Sequence, residues 1–213
     1  EAITSCRNNR ELERVGTILN KMKEQIVSEI PENRQYIMEA QASLDWMTGK
    51  ITDEEFVTRE EKALGCTLKV KNLYDMDKVY LTEMEMLCIR QVIQMLPEVE
   101  RKKCIDFMLR IFDAYEKKNA LSDCIVMYEF AILGVICELG NLKEYQQSTN
   151  LAQKVLRETL KCRRIWGIEG YLYEILWNKN EKMTEGLQQC ITISHFCKRT
   201  YYEDFYRKKL YQS

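Results

Sequence analysis

An all-α fold, a right-handed superhelix of antiparallel helical hairpins, is predicted by three features of the 213-residue sequence. Only two prolines and eight glycines interrupt it, which leaves little room for turn-dense β architecture or a flexible linker. Apolar residues recur at spacings of three and four along most of the chain. Third, the stretch from Asp123 to Leu139, DCIVMYEFAILGVICEL, carries only Glu129 as a charge between its flanking acids. A helix there is apolar around nearly its whole circumference and has to be enclosed by neighbours.

Taken in order, the first helix spans Asn9 to Ile30, where Leu12, Val15, Leu19, Met22 and Ile26 form one stripe, and Pro31 closes it. It reads either as a dimerising helix behind an upstream domain or as a terminal helix packed on its own body. So few heptads rarely sustain an independent coiled coil, which favours the second reading. Asn33 caps a second helix with the matching stripe Ile37, Ala40, Leu44 and Met47, ending at Gly49. Thr52 with Glu55 is a capping box for a third helix that Gly65 stops. The passage from Cys66 to Tyr80 suits a short helix or a packed connector.

Thr82 with Glu85 repeats the capping box ahead of a helix ending at Leu96, because Pro97 disfavours helical geometry in the residue before it. Pro97 to Lys118 has a wide apolar face opposite Arg101, Lys102 and Asp106. The apolar helix follows, and Gly140-Asn141 is expected to end it with a positive φ. Its partner, Leu142 to Lys161, is far more polar. Arg163 to Asn178 is again apolar, with Gly167 and Gly170 on it for close approach of a neighbour, and Thr184 to Lys198 and Tyr201 to Tyr211 form a last pair.

The turns at Gly140-Asn141 and Asn178-Lys179-Asn180 lie about 40 residues apart, near the upper end of α-solenoid repeats. The pattern has a tetratricopeptide flavour without meeting that consensus in full. We expect a single helical-repeat domain over 1–213, less regular over 1–80 and built of repeat hairpins over 81–213. A superhelix of this kind has a concave inner face suited to extended chains.

Net charge is -1, from 32 basic and 33 acidic residues, so the chain has no overall attraction to nucleic acid or anionic membrane. The basic clusters Arg101-Lys102-Lys103, Arg163-Arg164 and Arg207-Lys208-Lys209 are offset by nearby acids and read as solvated faces. Nine scattered cysteines without a CxxC pair read as free buried thiols in a reducing cytoplasm, with no zinc pattern. No apolar stretch is long enough to span a bilayer, and no charged-then-apolar leader opens the chain, so a cytoplasmic protein is expected. Because residue 1 is Glu, the chain reads as part of a longer protein.

Residues Gly167 to Leu210, GIEGYLYEILWNKNEKMTEGLQQCITISHFCKRTYYEDFYRKKL, resemble the closing repeat of the Rgg/GadR/MutR transcriptional regulators of Gram-positive bacteria. The order is shared: a glycine-bearing apolar helix, a Lys/Asn turn, a helix with Glu185-Gly186, Ile193 and Phe196, then a Tyr/Phe-rich helix. Leu81 to Ile93, LTEMEMLCIRQVI, is similar to a second family segment, with Glu85 matching its Glu while the family's Asn falls on Gln91 and its aromatics on aliphatic residues. The resemblance implies a dimeric regulatory domain that follows an N-terminal helix-turn-helix and binds a short signalling peptide. DNA would be reached only through that missing domain. The last helices, with Phe196, Tyr201, Phe205 and Leu210, are where the implied dimer contact is expected. A helical scaffold that binds another protein without regulating a gene is the alternative.

Peptide contacts are sought among polar residues that interrupt apolar helices, since a groove needs a few oriented hydrogen-bonding groups among apolar walls. Arg90, Gln91, Glu129 and Asn150 qualify, with Met127, Phe130, Trp166 and Tyr173 as apolar wall. Arg90 suits a peptide carboxylate, and the amides suit peptide backbone of any sequence. For Arg90 and Glu129 an ion pair or an exposed face is an equally good reading, and for the aromatics core packing is the commoner one. His195 and Cys197 lie two apart, on different helix faces, and lack an orienting third group. With no phosphate loop or Ser elbow either, neither an enzyme, a metal site nor a cofactor is expected.

Overall fold

The computed structural model describes residues 3, 6–7, 10–68, 74, 80–117, 121–161, 167–179 and 184–212, with the backbone alone at 121–130 and 161. Among the described residues there are ten α-helices and no strand. They are α1 (Leu12–Gln25), α2 (Pro31–Met47), α3 (Asp53–Leu64), α4 (Glu83–Val92, prolonged by a 3-10 turn at Ile93–Met95), α5 (Glu98–Lys117), α6 (Leu121–Asn141), α7 (Tyr145–Lys161), α8 (Ile168–Lys179), α9 (Thr184–Phe196) and α10 (Thr200–Gln212). The predicted all-α hairpin fold is the observed one. Most of the passage Cys66–Tyr80 lies outside the described residues, as do Trp166 and the side chains of Met127, Glu129 and Phe130. The chain divides into two compact units, Glu1–Ser122 and Asp123–Ser213.

In the first unit α1 packs on α2, α2 on α3 and α3 on α4. Val15 and Leu19 of α1 are fully buried with Ile3, Cys6, Ala40 and Leu44, so α1 uses its stripe on its own body. The helix is shorter than its periodicity suggests: the chain leaves it at Ile26 (ψ 134). Pro31 does not close α1 but opens α2 at its first turn, with Ile30 extended as a residue before proline must be. Asn33 caps nothing; its Nδ2 donates to the Val27 carbonyl at 3.1 Å and so ties the turn down. Both capping boxes are present, Thr52 with Glu55 and Thr82 with Glu85. Glu85 also accepts from the Thr67 hydroxyl at 2.7 Å, which fastens the segment after α3 to the start of α4. Arg101 is more than a solvated cation: its guanidinium donates to the Gln94 carbonyl at 2.8 Å and the Leu96 carbonyl at 3.0 Å, carbonyls the helix end leaves without partners.

In the second unit α7 packs on α8, α8 on α9 and α9 on α10. Gly140 does not end α6. The helix runs through it to Asn141, and the positive φ falls on Lys143 (φ 64). A Cβ on Gly140 would lie 3.0 Å from Asn178 Oδ1, so the missing side chain serves the approach of α8. Gly170 has the same use, since a Cβ there would stand 2.8 Å from Leu133 Cδ2. Gly167 instead precedes α8, in a turn at φ 81 that favours glycine.

Four turns share one hydrogen-bond pattern around a left-handed residue: Arg10, Gly49, Lys143 and Lys198. At Lys143 its own N–H bonds Gly140 O at 3.0 Å and the next N–H bonds Leu139 O at 2.9 Å, a Schellman closure. Only one of the four is glycine; the others tolerate a Cβ where it costs about 1 kcal/mol.

Candidate functional site

Gln91 sits inside a polar cluster of the first unit. Its amide donates to Glu39 and, at 3.0 Å, to Ser43 Oγ. Arg7 donates to both Glu39 oxygens, at 2.7 and 3.0 Å, and to Ser43 Oγ at 3.1 Å. Glu39, Ser43 and Gln91 are all buried, so the cluster joins the N-terminal segment, α2 and α4 through one carboxylate. Glu60 of α3 is 1% exposed, and burial, reinforced by the charge of Glu39, pushes its carboxyl up to about 9. Both causes favour its neutral form. Arg90, the next residue before Gln91, is half-buried on another face of α4.

In the second unit Asn150 is exposed on α7, its Oδ1 accepting from Gln146 Nε2 at 2.8 Å. Tyr173 belongs to an aromatic cluster: it stacks on Trp177 at 6.2 Å and meets Phe205 edge-on at 5.6 Å. Burial pushes its hydroxyl up to about 12. Phe205 and Leu210 pack on the same core of Leu187, Cys190, Ile191 and Tyr206. By contrast Phe196 is 76% exposed and Tyr201 38%. The four residues of the expected dimer contact thus divide into two that face solvent, Phe196 and Tyr201, and two that pack on the core of their own unit, Phe205 and Leu210.

Two groupings were not anticipated from sequence. Glu169 (1% exposed) and Arg199 (8% exposed) form a buried ion pair between α8 and the turn before α10, with Arg199 lying 4.2 Å over the Tyr202 ring. Around Gly140, Asn178 Nδ2 donates to Ser148 Oγ at 2.7 Å, and the Cys137 thiol donates to Glu174 Oε1 at 3.4 Å. Burial raises the Glu174 carboxyl; the Cys137 hydrogen bond partly offsets this and the charge of Glu138 adds to it. The sequence signal reaches only part of this second grouping: Cys137 lies three residues from Gly140 and Glu174 four from Gly170, within a turn of each glycine.

His195 is exposed and faces Glu203 Oε2 at 3.1 Å, while burial raises the Cys197 thiol, the opposite of nucleophile activation. Among the described residues no group of three or more His, Cys, Asp or Glu side chains could hold a metal ion, and no helix is long and apolar enough to cross a membrane. The described cysteines are free; Cys6, Cys88, Cys104 and Cys190 are buried, and Cys66, Cys137 and Cys197 are half-buried.

No family model and no curated protein matches the chain. Solved structures do. The crystal structure of Bacillus thuringiensis PlcR in complex with the peptide PapR7 and DNA superposes with a TM-score of 0.73 at 14% identity, over 96% of this chain and 71% of that one. The chain has a PlcR-like fold. The apo form of PlcR gives 0.66 at 13% identity, over 97% of this chain and 78% of that one. At such identities the likeness is one of fold.

Proposed function

We propose that the chain is the regulatory domain of a transcriptional regulator: it binds a short apolar signalling peptide, dimerises, and controls an attached DNA-binding domain. The observation that supports this most is the fold shared over 96% of the chain with PlcR, a protein solved with a peptide and DNA bound. Within such regulators, the Rgg/GadR/MutR resemblance of Gly167 to Leu210 supplies the finer assignment.

In the first unit the proposed peptide contact is Arg90, whose guanidinium suits a carboxylate. Gln91, engaged with Glu39 and Ser43, is assigned the work of fixing α4 so that Arg90 is held in place. In the second unit the proposed contacts are Asn150 and Tyr173, together with Met127, Glu129, Phe130 and Trp166. The proposed dimer contact uses Phe196 and Tyr201, which reach solvent, together with Phe205 and Leu210, which are half-buried against the core of α9 and α10. A peptide acts here only through unequal affinity for two dimer arrangements.

Fluorescence polarisation with labelled short apolar peptides tests the reading. Saturable binding that Arg90→Ala and Asn150→Ala each weaken by about tenfold is the expected result, equivalent to roughly 1.4 kcal/mol per contact. Absence of saturable binding by any such peptide refutes it. Sedimentation of Phe196→Glu tests the dimer: the variant should be monomeric where the parent chain is dimeric.

A further inference from the structure

Between α1, α2 and α3, wholly within the first unit, lies a cavity of about 240 Å³ lined by Lys23, Ile37, Met38, Gln41, Ala42 and Arg59. None of the residues proposed for peptide or dimer contact borders it. Its apolar wall is Ile37, Met38 and Ala42, residues in the interior of α2 whose main-chain groups are spent on the helix. The one amide at the wall is also committed: Gln41 Oε1 accepts from Lys23 Nζ at 2.6 Å and Gln41 Nε2 donates to Asp45 Oδ1 at 2.8 Å. The wall itself offers a ligand amide no main-chain partner, so it suits an aliphatic chain.

The rim has the opposite character. Lys23 is exposed and its bonded partner is a neutral amide, so that hydrogen bond does not balance its charge. Arg59 Nη1 bonds Asp45 Oδ2 at 2.8 Å, and Lys50 Nζ lies 4.0 Å from the same carboxylate. Two cations, Arg59 and Lys50, therefore stand around the Asp45 carboxylate, while Lys23 and Arg59 are the cations that border the cavity. A guanidinium has five N–H donors, more than one carboxylate oxygen uses. At 240 Å³ the space is below the roughly 300–1,000 Å³ of sites for drug-sized ligands, so the occupant is small.

We propose that this cavity is a binding site for a short-chain aliphatic carboxylate, its alkyl chain against Ile37, Met38 and Ala42 and its carboxylate between Lys23 and Arg59. The site is independent of the peptide reading and stands or falls separately.

The probe is sodium hexanoate titrated into the full chain carrying 13C-methyl methionine, with the Met38 methyl assigned through Met38→Leu. A saturable shift of the Met38 methyl is expected, while the other methionine methyls stay in place and serve as internal controls. Hexanol and hexylamine should bind at least about fivefold more weakly, and Lys23→Gln, a change at an exposed side chain, should weaken hexanoate by about fivefold. Equal affinity for hexanol and hexanoate overturns the proposal, as does a Lys23→Gln variant that binds hexanoate unchanged. Saturation by N-acetylleucine with none by hexanoate also overturns it, because the site would then be one for a peptide C-terminus.

Discussion

In the first unit the buried carboxyls of Glu39 and Glu60 lie within the field of one guanidinium, that of Arg7, whereas in the second unit Glu169 faces Arg199 directly. Burial raises the pKa of both Glu60 and Glu169. For Glu169 a bonded cation works against that rise; for Glu60 the Cys88 thiol and the more remote Arg7 relieve it only in part, and the carboxyl ends at about 9. A protein interior can therefore hold an acid either by pairing it or by keeping its proton. The two solutions fail in different ways when perturbed.

The largest effect is expected from breaking the pair. Arg199→Ala strands Glu169 without its cation in an apolar setting, which should cost roughly 3–5 kcal/mol in urea unfolding. Replacing both partners with apolar residues of similar volume should cost much less, because no charge is then left behind.

Glu60 sharpens the comparison through pH. Its folded pKa exceeds the unfolded one, so between the ordinary carboxylate range and about 9 the folded chain keeps a proton that the unfolded chain has released. Its contribution is best below that window and falls as pH rises through it, by at most about 1.4 kcal/mol per unit. Glu60→Gln removes this dependence: the variant should match the parent at low pH and gain on it steadily up to about pH 9 in thermal unfolding. An unchanged difference across that range would show that Glu60 is ionised when folded.

The smallest effect concerns the turns. Lys143→Gly relieves a left-handed backbone at φ 64 and should stabilise the second unit by about 0.5–1 kcal/mol, whereas Gly49→Ala, at φ 70, should destabilise the first by a similar amount. Chemical denaturation resolves both.

These contrasts also show what the sequence made legible. The capping boxes at Thr52 and Thr82 were readable because donor and acceptor lie three residues apart, within a single turn. Apolar stripes placed α1 and α2 for the same local reason, and the near absence of charge from Asp123 to Leu139 placed α6. Gly140 misled, since the rule that glycine ends a helix lost to a tertiary demand, the approach of Asn178. Lys143 and Lys198 could not be seen as turn residues because nothing in a lysine announces a positive φ. The charged interior was hidden by distance along the chain: Arg7 and Gln91 reach Glu39 across 32 and 52 residues, and Arg199 reaches Glu169 across 30. Of the candidate contacts, Arg90 and Asn150 were legible as polar interruptions, while the burial of Gln91 and the aromatic packing of Tyr173 depend on partners elsewhere in the fold.

The regulatory reading is tested most directly by hydrogen exchange, read by mass spectrometry, on the chain with and without a saturating apolar peptide. The account predicts slowed exchange centred on α4 around Arg90 and on α7 around Asn150. Protection confined to α1 and α10, or no protection under any peptide, would contradict it.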